Sequence, residues 1–296
     1  MPDYGRALQF GVFITPSPDL LDNSYALADL ADESLDFIAI QDHPYQRRFL
    51  DAWAFMSTLL ARTSRVRMIP DVANVPLRNP AVMAKTAASL DVLSNGRMEL
   101  ALGAGALWDP IVAMGGPRYT PKQAAQSLRE AVDVTRLMWS GERAVSYAGE
   151  FHRLKGLHPG PQPVHDMQIW LGVGGPRLLH YVGRAADGWI PSNSYFPPDK
   201  LPDMQQYIDA GAAESDRDPA SIVRAYNIFG EITNTPSVEP FAGTVEQWAR
   251  ALTSLAVDTG MDTFIFAAPD DNFDQTRRFT HEVVPAVRDA VAQRRS

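Results

Sequence analysis

The chain has 296 residues and no cysteine, which excludes disulfides, thiolate metal sites and cysteine nucleophiles. Its net charge of −8, with 27 Lys+Arg against 35 Asp+Glu, argues against nucleic acid or an anionic membrane as a partner, because both need Lys/Arg-rich surfaces. With 45% hydrophobic and 21% charged residues, the chain can bury a large core. No run approaches the ~18 apolar residues of a membrane span, and the first apolar stretch, residues 8–14, is too short for a signal segment. A soluble, unprocessed, cytoplasmic protein acting on a small molecule is the expectation; a homodimer is left open.

Taken in order, the elements alternate. Residues 8–14 read as a strand, and 24–35 as a helix with Leu27, Leu30, Ala31 and Leu35 on one face. Residues 37–41 form a second strand. The next helix, 51–63, has Asp51 as its cap. A third strand over 66–72 precedes a helix opened by Pro80, a residue well suited to the first helical position. Residues 97–102 make strand four, and Pro121 starts a helix carrying Leu128, Val132, Thr135 and Met138 at spacings of three and four. Residues 140–167, rich in Gly, Pro and His, read as an irregular surface insertion with a small hairpin around Ala148-Gly149. Strand 168–173, helix 176–186, strand 188–191, helix 199–214, an extended stretch 222–232, helix 244–258, strand 262–267 and helix 274–292 complete the chain.

Strands such as Ile169-Trp170-Leu171 and Thr263-Phe264-Ile265-Phe266 are apolar on both faces, as a parallel sheet covered by helices requires. Eight strand–helix units in this length predict an α/β fold, a (β/α)₈ TIM barrel. Residues 1–296 are read as a single domain, with the insertion at about 140–167.

Ligands of such barrels sit at the C-terminal ends of the strands. Strand two ends abruptly on Asp42-His43, with Pro44 fixing the chain just beyond. His43 is either a reactive histidine at the rim or a satisfied strand-end residue. Strand five runs into Gly172-Val173-Gly174-Gly175-Pro176. Glycines between a strand and a helix let the backbone approach a ligand, and the helix start is a natural phosphate seat; a tight turn with no ligand is the other reading. A dinucleotide fingerprint fails here because position 177 is Arg, and fails at Gly103-Ala104-Gly105 because position 108 is Trp. The remaining histidines make no metal-helix spacing, and no Gly-x-Ser-x-Gly elbow is present.

Four stretches in a fixed order carry a resemblance: "NVPLRNPAVMAKTAASLDVLSNGRMELALGAG" (74–105), "VGGPRLLHYVGRAADGWI" (173–190), "GTVEQWARALTSLAVDTGMDTFIF" (243–266) and "FTHEVVPAVRDA" (279–290). They resemble the bacterial luciferase-like family of flavin- and deazaflavin-dependent oxidoreductases, more closely its deazaflavin branch, which often has Asp-His after strand two. The resemblance implies a (β/α)₈ barrel holding coenzyme F420, or alternatively FMN, without covalent attachment in the barrel mouth. It implies that Gly172, Val173, Gly174 and Gly175 hold the cofactor's phosphate region. Asp71 and Val72 would form a bulge behind the ring, with a cis peptide bond between them. Gly103, Ala104, Gly105 and Asp109 would line the ring and its side chain.

His43 would face the ring as an acid–base group, and Asp42 would orient the imidazole or bind the cofactor. The sugar-phosphate dehydrogenases of that branch place a glutamate where this chain has Ala106, and a substrate-holding lysine where it has Ser192-Asn193-Ser194-Tyr195. Sugar-phosphate oxidation is therefore not expected. Tyr45, Trp108, Ser192 and Asn193, with Tyr195 and Phe196, suit a less polar substrate. The leading reading is hydride transfer between a bound deazaflavin and a small organic molecule. The alternatives are an FMN-dependent monooxygenase and a non-catalytic flavin-binding protein.

Overall fold

Apolar runs of four to six residues cannot satisfy both faces in a two-layer sheet, and here they close into a barrel. The structure, a computed structural model, describes residues 3–296. Among these, eight parallel strands line the barrel: β1 Gln9–Ile14, β2 Phe37–Ile40, β3 Arg67–Pro70, β4 Leu100–Gly103, β5 Ile169–Leu171, β6 Gly188–Trp189, β7 Val223–Phe229 and β8 Thr263–Ala267. Hydrogen bonding runs from β3 through β2 and β1 to β8, and on through β7, β6 and β5 to β4. The ring closes where Met68 pairs with Met98, and where Ala73–Asn74, just past β3, pairs with Leu102 and Gly103.

The eight helices that cover the barrel are α1 Leu21–Ser34, α2 Ala52–Arg62, α3 Pro80–Ser94, α4 Pro121–Trp139, α5 Pro176–Ala185, α6 Leu201–Ala213, α7 Val245–Val257 and α8 Val284–Arg295, the last reached through Phe273–Arg278 and one π turn. Their starts are written in the sequence. Asp51 and Asn79 accept the first free N–H groups of α2 and α3, and Thr120 and Thr244 make reciprocal capping boxes with Gln123 and Gln247. None of the described helices is long and apolar enough to cross a membrane.

Alternation along each strand divides the core in two. Residues facing the lumen, among them Phe37, Ala39, Ile69, Ala101, Trp170 and Ile265, form a plug inside the barrel. Their neighbours, such as Ile38, Met68, Leu100, Leu171 and Phe264, pack outward under the helices. Each fully buried Ile, Leu, Met or Phe among them contributes about 1.5–3 kcal/mol.

Two details differ from the sequence reading, and a third agrees with it. The stretch expected to be extended over 222–232 breaks after Phe229, and Glu231–Ile232 pairs instead with Ala242–Gly243. A short helix, Trp108–Ala113, follows β4. Within the segment after α4, Val145–Ala148 and Arg153–Leu157 form the antiparallel hairpin expected around Ala148-Gly149.

Candidate active site

At the C-terminal mouth of the barrel lies a cavity of about 520 Å³. Strand ends build it, and each contributes for a local reason.

Past β2 the chain turns sharply. The Gln46 N–H donates to the His43 carbonyl at 2.9 Å, with Pro44 at the second position of this β-turn, where its fixed φ suits the geometry. The turn presents His43 and Tyr45 to the cavity. His43 Nδ1 and the Tyr45 hydroxyl are hydrogen-bonded at 2.6 Å. Burial pulls the His43 pKa below its ordinary 6.5, and the Asp42 charge opposes this. Burial likewise raises the Tyr45 pKa, so its hydroxyl stays protonated.

Asp42 is occupied. Arg78 Nε and Nη2 donate to its two oxygens at 2.6 Å each, and the Asn74 N–H donates to it at 3.0 Å. Its side chain has no exposed surface. The same Arg78 also reaches Asp51, the α2 cap, at 2.8 Å. Asp42 therefore ties the end of β2 to the segment after β3, and neither orients the imidazole by a hydrogen bond nor offers a free oxygen to a ligand.

Past β3 the peptide between Asp71 and Val72 is cis, as the resemblance implied. The Val72 side chain is thrown across the ends of β4 and β5. A Cβ built on Gly103 or Gly172 would lie 2.5 or 2.9 Å from it. Those two glycines are thus the room the bulge occupies.

Past β5, Gly174 lies under the Phe196 ring, 1.9 Å from where a Cβ would sit. Gly175 caps α5 with nothing within 4 Å of a built Cβ. Its backbone is open, at the start of a ten-residue helix whose first residue is Pro176.

Fourteen of the sequence candidates line the cavity, His43, Asp71, Gly103, Gly172, Gly174 and Ser192 among them. Four do not. Asp109 is exposed and paired with Arg118. Trp108 packs edge-on against Tyr119, with its ring 3.2 Å from where a Cβ on Gly105 would sit. Asn193 is a strut: its amide donates to the Phe229 carbonyl at 2.9 Å and accepts the Phe229 N–H at 3.0 Å. Gly175 lies at the edge, beyond the lining.

Sequence reasoning missed Asn227 and Arg78. Asn227 is a polar residue near the C-terminal end of β7, in the lumen register of Val223 and Ala225, and that register was the available signal. Arg78 stands inside the quoted stretch 74–105, but only the fold brings it to Asp42.

Polar groups without protein partners mark where a ligand fits. Asp71 Oδ2, Asn74 Oδ1 and Asn227 Oδ1 are buried and unpaired, and all three residues line the cavity. A buried unsatisfied polar atom costs about 1–3 kcal/mol, so three in one cavity suit a polar guest. The open glycine backbone before α5 suits its anionic end.

Residues 8–239 match the Luciferase-like monooxygenase family. The chain belongs to this family. Among its curated relatives, the F420-dependent glucose-6-phosphate dehydrogenase of Kineococcus radiotolerans is 28% identical, covering 88% of this chain and 93% of that one. The protein of the same name from Nocardia farcinica is 32% identical over 75% of this chain and 70% of its own length. The fold is shared with an F420-dependent secondary alcohol dehydrogenase solved with an F420–acetone adduct (TM-score 0.82, 21% identity, 96% of this chain and 100% of that one). It is shared equally with the coenzyme F420-dependent tetrahydromethanopterin reductase of Methanopyrus kandleri (TM-score 0.82, 18% identity, 95% and 99% covered).

Proposed function

We propose that this protein is an F420-dependent oxidoreductase that moves a hydride between the deazaflavin and a small, uncharged organic substrate. The observation that carries the reading is the mouth itself: His43 beside a cavity with unpaired polar atoms on its floor and open glycine backbone at its edge. The family and the F420-dependent relatives support the cofactor. Bound there, the deazaflavin supplies the hydride acceptor or donor.

The residues do the rest. Gly174 and Gly175 offer backbone to the cofactor's phosphate end, and Val72, seated over Gly103 and Gly172, backs its ring. His43 manages the proton. With the Tyr45 hydroxyl donating to Nδ1, the neutral imidazole carries its proton on Nε2 and can give it up; with the roles exchanged, Nε2 is a base. The pair therefore serves either direction of hydride transfer. Asp42 and Arg78 act as a brace that holds this turn against the bulge.

The substrate class follows from what lines the cavity. Neither Lys nor Arg is among its lining residues, while Phe13, Tyr45, Tyr195, Phe196 and Phe229 are. A phosphorylated sugar would find no cation there. An alcohol, ketone or enone with apolar substituents fits better.

Fluorescence-quenching titrations of the purified protein with coenzyme F420 and, separately, with FMN test the cofactor. Saturable binding of F420 with FMN at least tenfold weaker is expected. Tight FMN binding with none for F420 would instead make the protein a flavin enzyme.

A further inference from the structure

Asp71 is the residue the proposed function leaves without a task. Its side chain lies on the floor of the cavity, 8% exposed, and its Oδ2 has no partner. Across the lumen, the Asn227 amide nitrogen donates to Ser192 Oγ at 3.2 Å. The unpaired atom of that amide is its oxygen, Oδ1. Asn74, held by its N–H to Asp42, likewise keeps Oδ1 unpaired. The floor thus presents two amide oxygens, which can only accept, and one carboxyl, which donates when neutral and accepts when ionised.

A carbonyl–NH–carbonyl edge, as carried by the pyrimidine end of flavins and deazaflavins, has one donor between two acceptors. An amide oxygen of the floor can take its N–H. Its carbonyls then need a donor, and a carboxylate would repel them. We propose that Asp71 binds the cofactor as a neutral carboxylic acid, donating a hydrogen bond to a carbonyl of that edge, so that ring binding is coupled to one proton. The inference rests on the cofactor reading above. Burial supports it by pushing the Asp71 pKa from 3.8 up to about 7, although the neighbouring Asn227 side chain favours the ionised form.

Among the other ionisable groups of the cavity, Asp42 is held by Arg78, burial lowers the His43 pKa from its ordinary 6.5, and burial raises that of Tyr45 from its ordinary 10. Tyr195, the remaining one, is largely exposed at the rim.

The test is the F420 dissociation constant, by fluorescence quenching, from about pH 5.5 to about pH 8.5 for the wild type and for Asp71→Asn, which keeps the size and a donor but carries no titrating proton. The wild-type affinity should hold up to about pH 7 and then weaken by up to tenfold per pH unit. That of Asp71→Asn should lack this component. Ionisations of the ligand are common to both profiles, so their difference reports Asp71. Asp71→Ala, with no donor, should bind roughly tenfold more weakly even at the acid end. Should Asp71→Asn not fold, Asp71→Ser supplies the uncharged donor and the same comparison. Parallel profiles for wild type and the uncharged variant would overturn the inference while leaving F420 binding intact. Failure of the wild type to bind either F420 or FMN would overturn the cofactor reading, and this one with it.

Discussion

The two ends of the barrel handle polar groups in opposite ways. At the N-terminal end, acids close the sheet. Asp36 accepts the Phe10 N–H and Asp187 the Ile169 N–H, each at 2.8 Å; Asp262 accepts the Arg224 N–H at 2.9 Å, and Glu99 the Gln168 N–H at 2.8 Å. Arg224, fully buried, is matched with Gln205, Asp209 and the Ile222 carbonyl. At the C-terminal mouth, Asp71, Asn74 and Asn227 keep buried oxygens unpaired. One end spends its polar groups on holding the strands together. The other holds them in reserve for a guest, and stability is forgone there, as is common at binding sites.

Substitutions at the two ends should therefore have opposite signs. The largest effect is expected at the closed end. Arg224→Ala strips Gln205 Oε1 of its donor, leaves the part-exposed Asp209, among the described residues, with only the Tyr4 hydroxyl, and empties a fully buried site; it should destabilise by about 2–5 kcal/mol. Urea unfolding would show it, with F420 affinity in the surviving folded fraction unchanged. A loss under about 1 kcal/mol would erase the contrast.

At the mouth, Asp71→Asn should stabilise the ligand-free protein. A carboxyl whose folded pKa is raised from 3.8 to about 7 loses stability as pH climbs between those values and loses no more above them. The variant's advantage should thus grow by up to about 1.4 kcal/mol per pH unit across that window and then level off. Unfolding curves collected from about pH 5 to about pH 8 would check this. An advantage independent of pH would mean that Asp71 is satisfied in a way the unpaired Oδ2 does not suggest.

Much of this architecture was legible before the fold was known, for physical reasons that also mark where legibility stops. Thr263-Phe264-Ile265-Phe266-Ala267 is buried along its whole length, so its apolar run alone announced a covered parallel strand. Pro44, Pro80 and the glycines at 172, 174 and 175 are punctuation, and they located the strand ends and helix starts. His43 was found because a titratable residue at a strand end is conspicuous. Asn227 was not, because its importance comes from facing β3 across the lumen, which only closure of the barrel creates. Asp42 was legible as a site residue but not as a brace, since Arg78 lies 36 positions away in the chain. Trp108 and Asp109 adjoin the Gly103–Gly105 turn in sequence, yet neither lines the cavity: Trp108 packs on Tyr119, and the exposed Asp109 pairs with Arg118.

The most direct test of the account is His43→Ala, examined in single turnover with F420 and a substrate found by screening small alcohols, ketones and enones. Hydride transfer should slow by roughly 10²-fold or more, the scale of a lost acid–base group. F420 affinity on the same variant should change by less than about threefold, since the binding is proposed to rest on glycine backbone and the cavity floor. Undiminished transfer would contradict the account, and would leave His43 as an ordinary residue at the end of a strand.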